Sequence, residues 1–157
     1  MKITLLAIGK TDDKRLQSLI DDYVKRLGHY IKFSFEILPD VKNVKHLSES
    51  QQKDKEGEQF LSYLNTSDVV VLLDENGKAF NSIDFSNYLQ KHMNSGIKNL
   101  VFVIGGPYGF SDSLYQRAQG KVALSKMTFT HQMIRLFFTE QLYRGFTILR
   151  GEKYHND

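Results

Sequence analysis

The residues with the most capacity for chemistry lie in the second half of the chain. Val101-Phe102-Val103-Ile104 runs directly into Gly105-Gly106-Pro107-Tyr108-Gly109, three glycines in five positions. Glycine is used where a side chain would block a ligand or where the backbone needs positive φ. Beyond the carboxyl end of a strand, such a turn can cradle a ligand; it can equally be a tight strand-to-helix connection. Downstream come Leu124-Ser125-Lys126-Met127-Thr128-Phe129, the cations Arg135 and Arg144, and a terminal Tyr154-His155. Arginine supplies a permanent charge with forked donors, and histidine exchanges a proton near neutral pH. Glu140 stands four residues before Arg144, a favourable helical spacing, so the arginines could instead be held in ion pairs.

Several familiar chemistries are excluded by pattern. The glycine turn does not fit G-x-G-x-x-G, because Pro107 takes the third position and Phe110 the last. No Walker lysine follows it either. The five histidines (His29, His46, His92, His131, His155) are too scattered for a local metal motif, so no metal is expected. His29 and His46 read as surface residues. No G-x-S-x-G elbow is present. Cysteine is absent, which removes disulfides, thiol catalysis and cysteine-ligated metals and suits a cytoplasmic location.

The 157 residues, 41% apolar and 25% charged, fit one soluble globular domain with a core of useful size. No apolar run approaches the roughly 20 residues that span a bilayer, so no membrane partner is expected. The apolar run after Lys2 is too short for a signal peptide and reads as a strand. The net charge of +3 is unevenly placed: residues 117–157 hold seven Lys/Arg against three acids, the remainder 14 against 15. A polyanionic partner would account for that excess, and so would an ordinary solvated face.

These groups need a scaffold, and the periodicities supply one. Lys2–Ile8 reads as a strand. Thr11-Asp12-Asp13 offers the cap of a helix with Leu16, Leu19, Ile20, Tyr23, Val24 and Leu27 on one face, ended by Gly28. Lys32–Leu38 alternates as a second strand. A mobile polar loop from Val41 leads to a helix over Ser50–Leu64. Asp68–Leu73 is a doubly apolar strand ending in a turn, Asp74-Glu75-Asn76-Gly77-Lys78. A helix capped by Ser82 or Asp84 runs to Asn94, then the strand Leu100–Ile104, a helix over Ser111–Gln119 and a short strand Val122–Leu124. A loop, Ser125–Thr130, precedes a final helix from His131 to about Arg150, apolar on most of its circumference. Such a helix must be covered on more than one side, and in a small chain a homodimer partner is the natural cover. Alternating strands and helices predict an α/β fold, a mainly parallel sheet flanked by helices.

Five segments occurring in one order are more specific than any of them alone. They are Leu72–Lys78, Ile104–Gly109, Leu124–Gln132, Glu140–Arg144 and Arg150–His155, joined by Lys55-Glu56-Gly57-Glu58 and the opening strand-Gly-Lys. Together they resemble the SPOUT-class ribosomal RNA large subunit methyltransferase H family over essentially the whole chain. The resemblance implies a C-terminal trefoil knot and methylation of the N3 nitrogen of a pseudouridine in 23S rRNA, on the ribosome and not on DNA. It implies S-adenosyl-L-methionine as cofactor, held by Leu73, Gly105 and the loop Leu124, Ser125, Lys126, Met127, Thr128 and Phe129. Met127 and Phe129 could otherwise be ordinary core.

The methyl of a sulfonium is already activated, so the demand falls on alignment and on ionising the imide nitrogen. Arg135, Arg144, Tyr154 and His155 are the candidates, His155 as general base, with the tail reaching the active site across the dimer. Two departures stand out. Thr130 replaces the proline usual before the histidine matching His131, and Asn156-Asp157 replace a basic ending, so Lys153 would supply that charge. The competing expectations are an inactive ribosome- or RNA-binding protein that keeps the fold, and an enzyme of this class acting on transfer RNA. S-adenosylmethionine binding separates the first, and the lack of a separate RNA-binding domain weighs against the second.

Overall fold

The computed structural model describes residues 1–156 and has the expected α/β architecture; Asp157, part of the altered ending, lies outside the described residues. The parallel strands β1 (Lys2–Ile8), β2 (Lys32–Leu38), β3 (Val69–Ala79), β4 (Asn99–Ile104) and β5 (Gly120–Ala123) stand in the order β2-β1-β4-β3-β5. The helices are α1 (Lys14–Leu27), α2 (Glu49–Tyr63), α3 (Ser82–Asn94), α4 (Asp112–Arg117) and α5 (Met133–Leu149).

Period two in the central strands feeds two cores. Val71, Leu100, Phe102 and Ile104 pack with residues of α3 and α5, among them Phe85, Leu89, Phe138 and Leu142. Val70, Leu72, Val101 and Val103 point the other way, against Phe60 of α2, Leu114 of α4 and Phe110. That is why these strands read as unbroken apolar runs. α1 joins α3 and α5 on the first face through Leu27.

α1 and α4 start where the sequence places them, and α2 begins one residue before its predicted start. Asp13 accepts the Arg15 and Leu16 amides, Ser111 accepts that of Leu114, and Ser48 forms a reciprocal capping box with Gln51. α3 is the exception: Asn81, not Ser82 or Asp84, is its cap, its Oδ1 2.7 Å from the Asp84 amide. The polar segment expected as a mobile loop contains one 3₁₀ turn, Val44–His46. His29 and His46 are exposed, as expected.

Two strand boundaries differ, and both differences shape the site. β3 does not stop at Leu73. Leu73 and Lys78 both register with Val122 of β5, so residues 74–77 form an outward excursion within one strand. Gly77 makes it possible, since a Cβ there would lie 2.7 Å from Lys121 C and Val122 N. The Asn-Gly signal therefore marks a bulge, stiffened by the Asn76 amide donating to Asp74 Oδ1 at 2.9 Å. β5 begins earlier than predicted, at Gly120, because Gln119 is recruited to the sheet: its amide donates to Val70 O and its Oε1 accepts from Val70 N. That recruitment also ends α4 at Arg117.

Candidate functional site

The carboxyl ends of β3, β4 and β5 surround a cavity of about 1060 Å³. Of the eight residues expected to hold a cofactor, Leu73, Gly105, Leu124, Ser125, Met127, Thr128 and Phe129 line it; Lys126 is exposed and does not. The glycine turn forms one wall. A Cβ on Gly105 would sit 3.2 Å from the Phe110 ring and 3.3 Å from Gly109 O, and one on Gly106 would sit 2.3 Å from Glu56 Oε2. Gly109 closes the turn at φ +84°, a conformation glycine adopts without strain. Behind the turn, Glu56 is 5% exposed and its Oε1 has no hydrogen-bond partner among the described residues. Burial raises its pKa, and Asp40 adds to the rise while Gln52 opposes it.

The other two walls are tied together. Thr128 Oγ1 donates to Glu75 Oε2 at 2.6 Å, joining the loop after β5 to the bulge in β3. Tyr115 of α4 donates to Asp74. Within the loop, Ser125 Oγ accepts the Met127 amide at 2.9 Å. Thr130, standing where proline is usual, accepts the Met133 amide on its hydroxyl (3.1 Å) and that of Ile134 on its carbonyl (3.1 Å). It thus turns the chain into α5 by capping bonds instead of by a fixed φ, and the helix starts at Met133, two residues later than predicted. His131 also lines this cavity; burial lowers its pKa, as does the nearby Arg135, against weaker pulls from Asp12 and Asp40.

A second cavity, of about 990 Å³, shares Val122, Leu124, Ser125 and Phe129 with the first. Arg144, Glu140, His155 and Tyr23 stand in its wall. The tail comes here because α5 ends in a Schellman turn. Gly151 adopts φ +67°, its amide donates to Ile148 O (3.0 Å), and the Glu152 amide donates to Thr147 O (2.9 Å). The chain then folds back over its own α5. Tyr154 meets Tyr143 edge-on at 4.7 Å and donates to Glu140 Oε1 at 3.0 Å, and Tyr30 donates to Glu152 at 2.6 Å. Arg144 pairs with Glu140 at 2.5 Å and reaches His155 Nδ1 at 3.2 Å. Glu140 raises the Arg144 pKa. Burial, with the Tyr23 and Glu140 contacts, holds the Tyr154 phenol well above the usual range.

Arg135 belongs to neither cavity. It is fully buried, with Nη2 on Ile8 O (2.9 Å), Nη1 on Thr11 Oγ1 (3.1 Å) and Nε without a hydrogen-bond partner among the described residues. Burial lowers its pKa. It anchors α5 to the end of β1. Of the four residues expected to act in catalysis, then, Arg144, Tyr154 and His155 come together and Arg135 does not. Two site residues went unpredicted in these roles. Tyr23 looked like core on its helical face, and Glu140 was considered only as an ion-pair partner.

A model of the family described as predicted SPOUT methyltransferase matches residues 1–155. Ribosomal RNA large subunit methyltransferase H of Flavobacterium johnsoniae is 70% identical over 156 residues, 99% of each chain. The protein of that name from Flavobacterium psychrophilum is 67% identical, again over 99% of each chain, and that from Parabacteroides distasonis 57% identical over the whole of both. The chain belongs to the SPOUT methyltransferases, within the ribosomal RNA large subunit methyltransferase H family.

Proposed function

We propose that the protein methylates the N3 nitrogen of a pseudouridine in 23S rRNA, with S-adenosyl-L-methionine as donor and the assembled large ribosomal subunit as substrate. The observation that carries the reading is a pair of cavities with one shared wall, the first at the ends of three strands, the second holding Arg144 and His155. The residues present suit the donor. Ligand cavities run to about 1,000 Å³, and this one has that order of size. Leu73, Leu124, Met127 and Phe129 offer apolar walls, and the Gly105 turn offers backbone groups unobstructed by a side chain. Asp74 and Glu75 bring negative charge suited to a cationic ligand.

S-adenosylmethionine supplies a methyl already activated by its sulfonium, so the chain has mainly to align and to stabilise charge. Arg144 offers a fixed cation beside the imide that must ionise. Lys126 and Lys153, both exposed, provide charge for RNA phosphates. The reading takes the trefoil knot with the family, treats the chain as one methyltransferase domain and places it in the cytoplasm with the ribosomes.

A homodimer completes it. Leu136 and Phe137 of α5 line the second cavity beside Leu19 and Ile83, apolar side chains that a second copy would cover. Each tail then serves the cofactor loops of the partner. The test is to map methylated positions in 23S rRNA from cells with and without the gene. One N3-methylpseudouridine should vanish on deletion and return when purified protein and S-adenosylmethionine are added to the subunits. An unchanged modification pattern refutes the reading.

A further inference from the structure

The glycine turn has a second side, and a carboxyl is pressed against it. Gly105, Gly106 and Gly109 present one face to the first cavity. On the opposite face Glu56 Oε1 stands 2.7 Å, and Cδ 2.8 Å, from where a Gly106 Cβ would be. The carboxyl therefore lies on the bare Cα, and one thickness of backbone separates it from the cavity. α2 holds it there. The Ser48–Gln51 capping box fixes the start of that helix, and Gly57 lets it close on the Ser111 hydroxyl that caps α4, which a Gly57 Cβ would overlap.

Glu56 differs from the other carboxyls of this region. Asp74 accepts from Tyr115 and Glu75 from Thr128, and both line the cavity, as does Glu49 at the start of α2. Glu56 is buried, makes no ion pair among the described residues, and has no hydrogen-bond partner there for Oε1. Gln52, one turn back on α2, and Asp40, beyond β2, are the groups that act on it, and Asp40 is a like charge. Arg135 on α5 is a cation engaged with Asp12 and Asp40. An ionised carboxylate in such a place is costly until a cation comes within reach.

The geometry points to Glu56 as the residue by which the turn distinguishes the sulfonium donor from its spent product: when S-adenosylmethionine enters the cavity, the buried carboxyl releases its proton to solvent and faces the ligand's charge across Gly106. The inference rests on the methyltransferase reading above. Loss of the methyl leaves S-adenosylhomocysteine, whose sulfur is uncharged, so the carboxylate takes a proton back from solvent and the attraction ends. Binding and ionisation are linked, and each strengthens the other by the same factor. Two unit charges separated by a backbone in a protein interior are worth about tenfold in affinity. Burial sets the Glu56 pKa above its ordinary value. S-adenosylmethionine should thus gain affinity as pH rises through that raised value, and the product should not. Glu56 touches neither ligand; it acts through charge and sets specificity.

The experiment is titration calorimetry of the full chain with S-adenosylmethionine and with S-adenosylhomocysteine, in pairs of buffers of different ionisation enthalpy, carried upward from about pH 5. The difference in heat between buffers counts the protons exchanged. On binding S-adenosylmethionine, wild type should release up to about one proton per site more than Glu56→Gln; on binding S-adenosylhomocysteine the two should match. The wild-type preference for donor over product should grow by about tenfold with rising pH, and that of Glu56→Gln should stay flat. His131 also lines the cavity, but any proton it exchanges appears in both proteins and cancels in the comparison. Asp40→Asn removes the like charge, so its proton release should move to lower pH. A merely structural Glu56 would weaken both ligands together in Glu56→Gln and leave the preference and its pH dependence as in wild type. That result, equal proton release from the two proteins, or an unmoved release in Asp40→Asn overturns the proposal. Binding of both ligands without a Glu56-dependent proton overturns this inference alone; wild-type protein that binds neither ligand refutes the methyltransferase reading and the inference with it.

Discussion

Gly106→Ala tests whether the glycine turn and Glu56 are one packing unit. The added Cβ would lie 2.3 Å from Glu56 Oε2, 2.7 Å from Oε1 and 2.8 Å from Cδ. Contacts that short cannot persist, so either the carboxyl or the turn must move. The carboxyl ends a flexible side chain, but that side chain is 5% exposed and walled in. Overpacking of this kind costs about 1–3 kcal/mol. In a chain of this length each kcal/mol lowers Tm by about 2–4 °C, so Tm should fall by roughly 2–12 °C. The turn also forms a wall of the first cavity, and the same displacement should weaken S-adenosylmethionine binding by about tenfold, or 1.4 kcal/mol.

Thermal denaturation and titration calorimetry on Gly106→Ala, Glu56→Ala and the double variant settle the cause. If the clash is with the carboxyl, Glu56→Ala makes room and the double variant recovers most of the loss, with a coupling of about 1 kcal/mol or more. Gly109→Ala is the control. Its Cβ would meet nothing within 4 Å, but φ is +84°, so its cost is backbone strain and should be the same with or without Glu56. Additive losses from Gly106→Ala and Glu56→Ala would refute the reasoning.

Four further outcomes follow from the same geometry. Glu56 is neutralised more readily in the folded chain than in the unfolded one, since burial raises its pKa. Its contribution to stability is therefore complete below the unfolded value of about 4.3 and is lost as pH rises through the raised folded value; Glu56→Gln should flatten that fall in urea titrations carried upward from about pH 4. Arg135→Ala removes a fully buried side chain and two hydrogen bonds, and should cost about 3–5 kcal/mol of folding free energy. The protein that still folds should bind S-adenosylmethionine as before, which a calorimetric loss of affinity would contradict. Gly77→Ala should cost about 3 kcal/mol by denaturant unfolding, because its Cβ would meet only backbone of β5. Thr128→Ala breaks the bridge to Glu75 on the exposed rim; it should weaken cofactor binding several-fold while shifting Tm by about 2 °C or less.

What could be read in the sequence was local. The apolar runs at Val70–Leu72 and Leu100–Ile104 carry their own burial pattern, and Asp13 and Ser111 announce the helices that follow them. Seven of the eight residues carried over for the cofactor face one cavity because they sit in three loops whose place is set by their own strands. The bulge in β3 was not legible, because Asn76-Gly77 is a turn signal in any context. Only the return of Lys78 to Val122 of β5 makes it an excursion within a strand.

Arg135 and Arg144 make the limit plainest. They are the same residue type on one helix, and each has local sequence compatible with an active-site cation. Arg144 finds its partner four residues away, a distance that sequence can see. Arg135 finds Ile8 and Thr11, 127 and 124 residues away, and only folding shows that its charge closes a strand end. Tyr23 is the converse. On its own helix it is one apolar face residue among six, and its hydroxyl acquires a role only when Gly151 turns the tail back and sets Tyr154 beside it, 131 residues on. The glycine was visible; the tyrosine it selects was not. The same turn pins the tail to α5, since residues 147–152 are joined by two capping bonds before the tail begins. The placement of His155 beside Arg144 thus depends on a backbone conformation four residues away that glycine adopts without strain.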